Sequence, residues 1–145
     1  MKINIVAIQM IKERSATYDV NSKSITGSED IAEVLEKFFE TADREQFIAV
    51  CLNSKNKVLC INIVSQGSLN SSVVHPREVF KAAILSNAAA IIVAHNHPSG
   101  NPTPSEEDKK LTNTLFSAGK VLGIPVLDHL IIGDYYYSFK EHSLM

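Results

Sequence analysis

His95, His97 and Asp108 are the residues whose types and spacing suit chemistry, and that chemistry is metal binding. In an extended chain, residues two apart point to the same side. His95 and His97 therefore present two imidazoles to one point, just beyond the apolar run Ala88–Ala94. The segment Pro98-Ser99-Gly100-Asn101-Pro102-Thr103-Pro104 is a loop by composition and turns the chain back. Asp108 then falls in the first turn of the next helix, three residues after the expected N-cap, Ser105. Helical side chains lean toward the N-terminus, so this carboxylate faces the loop. The helix dipole favours its ionised form, which a metal requires. Two imidazoles and one carboxylate make a common catalytic zinc set, with the fourth position open to water. Structural zinc sites close all four positions, usually with thiolates, and neither Cys51 nor Cys60 lies near these residues in sequence. The expectation is one Zn2+ per chain, activating a water for hydrolysis. The same N/O set also suits other divalent ions.

Each of these residues has a plainer reading. A lone His-x-His also describes two exposed loop histidines; the strand end, the tight loop and the acid at a helix start together favour ligation. Ser105 caps the helix, and its hydroxyl, being donor and acceptor at once, is also suited to a developing oxyanion. The sequence leaves these two roles of Ser105 evenly balanced.

The elements that must position these residues follow from periodicity. Residues 2–11 alternate polar and apolar and read as a first strand; residues 12–25 are polar and irregular, a loop. Thr26 and Glu29 have capping-box spacing, and Ile31, Val34, Leu35, Phe38 and Ala42 recur at helical spacing, giving a helix near 28–42. Gln46–Leu52 and Lys57–Val64 are β-branched runs joined by Asn53-Ser54-Lys55-Asn56, a hairpin. Ser65–Val74 is a further strand interrupted by Gly67. Pro76 opens a helix continued by Val79, Phe80, Ala83 and Ile84 and ended by Asn87. Ala88–Ala94 fits a central strand covered on both faces. Ser105 opens a helix with Leu111, Leu115, Ala118 and Leu122, stopped by Gly123; Pro125–Ile132 and Tyr135–Phe139 are strands around Gly133-Asp134. Hairpins and crossovers together predict an α/β (α+β) sandwich around a mixed sheet.

Composition sets outer bounds. A chain of 145 residues with 45% hydrophobic and 21% charged residues suits one globular domain, 1–145. No apolar run is long enough to span a bilayer, and the alternating N-terminus lacks the apolar core of a signal peptide, so a cytoplasmic protein is expected. Cys51 and Cys60 read as reduced thiols on strands, without CxxC spacing. A net charge of −2 without a Lys/Arg cluster argues against strong nonspecific nucleic-acid binding. Tyr135-Tyr136-Tyr137 lacks the basic groove of a base-stacking platform and reads as a strand with alternating burial.

At His95, His97, Ser105 and Asp108 the sequence resembles the JAB/MPN superfamily, whose motif is His-x-His, seven residues, Ser, two residues, Asp. More narrowly it resembles the RadC branch through His95-Asn96-His97-Pro98-Ser99-Gly100, His75-Pro76-Arg77-Glu78-Val79-Phe80 and Leu127-Asp128-His129-Leu130-Ile131-Ile132-Gly133. The similarity covers roughly residues 26–140, and these motifs together are highly specific. Full-length RadC proteins carry an N-terminal helix-hairpin-helix-like region associated with DNA; here residues 1–25 are a strand and loop, as in short single-domain members. The resemblance implies a three-layer, cytidine-deaminase-like sandwich and a zinc-dependent hydrolase. In that scheme a glutamate on an early strand after the first helix takes the proton of the water and delivers it to the leaving amine. Glu45 matches that place, and Glu78 is the rival; the plain readings are a charged helix-end residue for Glu45, and a solvated face or a salt bridge with Arg77 for Glu78. Asp128 and His129 suit either orienting a metal ligand or sitting in the core satisfied by backbone, and support of the site is favoured over direct ligation. His75 and His142 carry no signal of their own.

Three functions compete. The ligand set favours a zinc metallopeptidase or isopeptidase acting on a peptide or protein. The RadC resemblance brings a DNA repair or recombination role, as nuclease or accessory, against which the charge balance counts. A non-catalytic interaction module requires the ligands to be lost, and they are intact. Homo-oligomerisation through the N-terminal strand is a further expectation.

Overall fold

Alternation along the strands decides the architecture. The computed structural model describes residues 1–20, 24–67 and 74–145. Its elements in chain order are α1 (Ser28–Phe39), β1 (Gln46–Leu52), β2 (Val58–Gln66), α2 (Pro76–Val79), α3 (Lys81–Leu85), β3 (Ala90–Asn96), α4 (Glu106–Leu122), β4 (Val126–Ile132) and β5 (Tyr136–Ser138). The five strands form one sheet in the order β2-β1-β3-β4-β5. Only β3 and β4 are parallel. A parallel pair needs a crossover, and α4 supplies it. The result is the expected mixed-sheet sandwich.

Successive strand residues point to opposite faces. Ile48, Val50, Leu52, Ile92, Ala94, Leu130 and Ile132 meet Ile31, Val34, Leu35 and Phe39 of α1 in one core. Phe47, Ala49, Cys51, Ile91 and Val93 meet Val79, Ala82, Ala83 and Leu115 of α2, α3 and α4 in the other. β3 is buried along its whole length, which explains its near-continuous apolar sequence. Leu35 is fully buried, a position where truncation to Ala costs about 2–5 kcal/mol.

Turn chemistry fixes the strand ends. The side-chain oxygen of Asn53 accepts from the Lys55 and Lys57 N–H groups at 2.9 and 3.0 Å, and Asn56 takes φ 56°, closing the β1–β2 hairpin. Cys51 and Cys60 stand opposite each other across it as free thiols. Burial, reinforced by Cys60, pushes the Cys51 thiol up to about 12, so it is protonated and inert at neutral pH. Gly123 ends α4 at φ 70°.

Several boundaries differ from expectation. Residues 2–11 form no strand and are exposed throughout. Alternation produces a strand only where a ladder forms, and among the described residues none of the five strands pairs with them. The chain first touches the fold at Tyr18 and Val20, beside α1, where Lys37 Nζ donates to the Asp19 carbonyl. The α1 cap sits one residue later than Thr26/Glu29: Gly27 is the N-cap, and the Asp30 carboxylate accepts from Thr26 N–H, Thr26 Oγ1 and Gly27 N–H at 2.7, 2.6 and 3.3 Å. The single helix expected after Pro76 is two short ones, broken at Phe80, which turns into the core at 1% exposure. The strand expected over Ser65–Val74 is, at its start, the end of β2; residues 68–73 lie outside those described. β3 runs to Asn96, so His95 belongs to the strand and not to the loop after it.

The loop leaving β3 is locked against the β4–β5 turn. Asp134 N–H donates to the Gly100 carbonyl at 2.7 Å, and His97 N–H to the Ile132 carbonyl at 2.8 Å. A Cβ at Gly133 would collide with that same Gly100 carbonyl. Gly133→Ala must push the two loops apart, so it is expected to destabilise the protein by about 1–3 kcal/mol. A urea unfolding series checks this: the midpoint should fall, and an unchanged midpoint would show the contact to be slack.

Candidate metal centre

The carboxyl ends of β3 and β4, the parallel pair, and the N-terminus of α4 converge on one point. Open sheets commonly bind ligands in that position. His95 lies on the α4 face because it continues the alternate set Ile91 and Val93. His97 follows two residues later, beyond the strand end. Asp108 sits at N3 of α4. Each of the three offers one donor atom within 4.8 Å of the others. His95 Nε2 lies 3.0 Å from His97 Nε2 and 3.5 Å from Asp108 Oδ1, and His97 Nε2 is 3.8 Å from Asp108 Oδ2.

Asp108 is held by the helix start. Its Oδ2 accepts from Ser105 N–H at 2.8 Å, and its own N–H donates to Ser105 Oγ at 3.1 Å. This is a capping box, and it leaves Oδ1 toward His95, with Oδ2 on the His97 side. Burial alone would raise the Asp108 pKa; hydrogen bonding and charge from His95, with the Ser105 contacts, outweigh it and hold the carboxyl well below its usual range. His97 Nδ1 lies 2.8 Å from the Asn101 carbonyl. A carbonyl only accepts, so Nδ1 carries the proton and Nε2 of a neutral His97 presents a lone pair. The cluster therefore aims a lone pair and an ionised carboxylate at one point beside the His95 ring. A divalent cation satisfies such a donor set, and nitrogen and oxygen ligands with no thiolate suit a catalytic zinc.

The other expected residues fall as follows. Ser105 is exposed and acts as N-cap. Glu45 is half-buried and directly precedes β1. β1 and β3 pair Phe47 with His95; Glu45 lies two residues before Phe47 and His97 two residues after His95, at the same end of this antiparallel pair. Glu45 also extends the set Phe47, Ala49 and Cys51, which faces α4. Glu78 is paired with Lys81 at 2.8 Å, not with Arg77. Asp128 and His129 part company. Asp128 turns toward α1, accepting from Ser138 Oγ, His129 N–H, Ser28 Oγ and Lys140 N–H at 2.6, 2.7, 3.1 and 3.1 Å; it is a satisfied core carboxylate. His129 turns the other way, with Nε2 2.8 Å from His95 Nδ1. Burial, then the charge of His95, holds its pKa well below the usual histidine range. Tyr136 packs on the α1 core, and Tyr137 stacks on His142 at 4.0 Å, so the tyrosine run is split between faces.

Two contributors escaped the sequence reading. Thr112 Oγ1 contacts His129 Nδ1 at 2.6 Å and the Asp108 carbonyl at 2.7 Å; its position one helical turn after Asp108 was the available signal. Asn96, between the two histidines, accepts from Gln46 N–H at 2.7 Å and donates to the Arg44 carbonyl at 3.1 Å. It thereby pins the backbone on either side of Glu45.

A carboxyl with a depressed pKa stabilises the fold above its unfolded-state value, near 3.8, and that contribution is lost as the pH falls through the folded value. In the metal-free protein, unfolding free energy below about pH 4 should therefore fall more steeply for wild type than for Asp108→Asn. Parallel acid limbs in a pH series of denaturant melts would contradict this account of Asp108.

The RadC-like JAB domain model matches residues 25–144. Over 142 residues the chain is 46% identical to a UPF0758 protein of Alkaliphilus oremlandii, covering 97% of this chain and 61% of that one. It is 48% identical to a UPF0758 protein of Alkaliphilus metalliredigens over the same shares. A UPF0758 protein of Moorella thermoacetica is 54% identical over 133 residues, 91% of this chain and 58% of that one. The chain thus spans about six-tenths of the length of these curated relatives. Among the described residues, no helix is long and apolar enough to cross a membrane.

Proposed function

The chain belongs to the RadC-like JAB domain family, and from that premise we propose that it is a zinc-dependent hydrolase cleaving amide bonds of a peptide or protein. The observation that carries this reading is the convergence of His95, His97 and Asp108 donor atoms, fastened by the Ser105 capping box and the Asn101 carbonyl. When bound, zinc supplies Lewis acidity, acidifying a water and polarising a carbonyl.

The chain's own residues do the rest. His95, His97 and Asp108 would hold the ion. Glu45, just before β1 at the end of the sheet where Phe47 pairs with His95, accepts the proton of the attacking water and returns it to the leaving amine. The Asn96 clamp fixes the backbone that carries Glu45. Glu78 is engaged by Lys81 on α3 and is not assigned this task. Ser105 presents a hydroxyl beside the acid it caps; its oxygen accepts from Asp108 N–H, so its proton is available to a developing oxyanion.

The DNA-associated reading has no comparable feature: the net charge is −2 and no basic patch was evident in the sequence. It predicts salt-sensitive DNA binding, which the hydrolase reading does not.

Elemental analysis of purified protein tests the metal first. Wild type is expected to hold about one zinc per chain, and His97→Ala none. No metal in wild type after zinc addition would remove the reading. Given an amide substrate found by screening, Glu45→Gln should keep its zinc and lose about 10²–10⁴-fold in kcat. A Glu45→Gln enzyme of normal kcat would transfer the proton role elsewhere.

A further inference from the structure

We propose that His129 and Thr112, both buried behind the site, set the ring tautomer of His95 and so make its Nε2 a ligand atom. The proposal rests on the metal reading above but concerns residues that would touch neither ion nor substrate.

The argument is a proton count along a chain of hydrogen bonds. The Thr112 hydroxyl has one proton and two neighbours, the Asp108 carbonyl at 2.7 Å and His129 Nδ1 at 2.6 Å. The carbonyl can only accept, so the hydroxyl donates to it. Thr112 Oγ1 must then accept from His129, which places a proton on His129 Nδ1. His129 is 0% exposed, and a buried neutral imidazole carries one ring proton. Its Nε2 is therefore an acceptor, 2.8 Å from His95 Nδ1. That contact is a hydrogen bond only if His95 Nδ1 is the donor. A neutral His95 then has its lone pair on Nε2, the atom that faces His97 Nε2 and Asp108 Oδ1.

Packing leaves little freedom for another arrangement. His129 stacks on Phe139 at 4.7 Å and meets Phe47 edge-on at 5.6 Å, while His95 stacks on Phe47 at 5.9 Å. Flipping either ring would set carbon against a buried polar atom. With His97 also protonated at Nδ1, the two Nε2 lone pairs face each other at 3.0 Å and cannot hydrogen-bond, an arrangement that a cation between them would satisfy. The chain begins on the backbone of the third ligand, Asp108, and ends on the ring of the first, His95. It therefore joins α4 to β3 through β4.

Thr112→Val is isosteric and removes only the hydroxyl; His129→Leu removes the acceptor; His129→Gln puts an amide oxygen where Nε2 stood. Long-range ¹H–¹⁵N spectra of the histidine rings, in metal-free protein at about pH 9 where imidazoles are neutral, read the tautomer directly. The His95 signals are assigned by their absence in His95→Gln. Wild type and His129→Gln should show His95 protonated at Nδ1. Thr112→Val and His129→Leu should shift it toward the Nε2-protonated form. Zn2+ titration should show those two variants weakened about 10–100-fold, as for loss of a partner behind a metal ligand, with His129→Gln near wild type. Should His129→Leu not fold, Thr112→Val carries the test. A wild-type His95 protonated at Nε2, or a Thr112→Val protein with unchanged tautomer and unchanged zinc affinity, overturns the proposal. If wild type shows the Nδ1 proton but takes up no zinc, the metal reading fails and the tautomer assignment stands.

Discussion

A histidine on a strand covered on both faces must have its ring nitrogens satisfied, and His95 is such a residue at 3% exposure. Water does not reach it freely, so the protein supplies the partners. One nitrogen is met by His129 from the neighbouring parallel strand; the other faces the acceptors of His97 and Asp108 from the loop and helix that follow, where a cation would complete it. β3 must pair with β4 for the first and must lead into α4 for the second. The single parallel pairing in the sheet and the single long crossover helix thus answer one requirement.

The two cores divide the labour. The α1 side is hydrophobic packing against even-numbered residues of β1, β3 and β4, with Asp128 buried at its margin among donors from α1 and from the residues after β4. The α4 side carries the odd-numbered residues of β1 and β3 with Val126 of β4, and toward the carboxyl end of β3 this set changes from Ile91 and Val93 to His95, which meets His129 of β4. Asn96 lies between the two ligands and uses its amide to bind β1 instead. Consecutive residues of one short tract therefore serve the metal set, the sheet end and the metal set again.

Much of this was legible in the sequence, for a physical reason: strand alternation, helix spacing and capping are local. The bounds of β1, the buried character of β3, the Ser105 cap and the grouping of His95, His97 and Asp108 all follow from residues close along the chain. What was not legible depends on pairing. The alternation of residues 2–11 is as regular as that of a true strand, yet no ladder receives it. The separate fates of Asp128 and His129 follow from which face each takes on β4, and the link from His129 to His95 needs the β3–β4 register. The link from Thr112 to His129 needs α4 to lie over that strand. Phe80 is buried as its spacing predicts, and that spacing gives no sign of the helix break there.

The Asp108 carboxylate serves two tasks at once, Oδ2 accepting from the Ser105 N–H that starts α4 while Oδ1 faces His95 and Oδ2 also faces His97. If the cluster takes up an ion as proposed above, a group shared in this way makes ion uptake and helix initiation a single equilibrium. Anything that binds only the folded state adds to its stability as its concentration rises. Here that added stability enters at the first turn of the one helix that bridges the parallel strands. Chelation would consequently act as a mild denaturant directed at α4, and fraying of α4 would in turn act as a release mechanism for the ion.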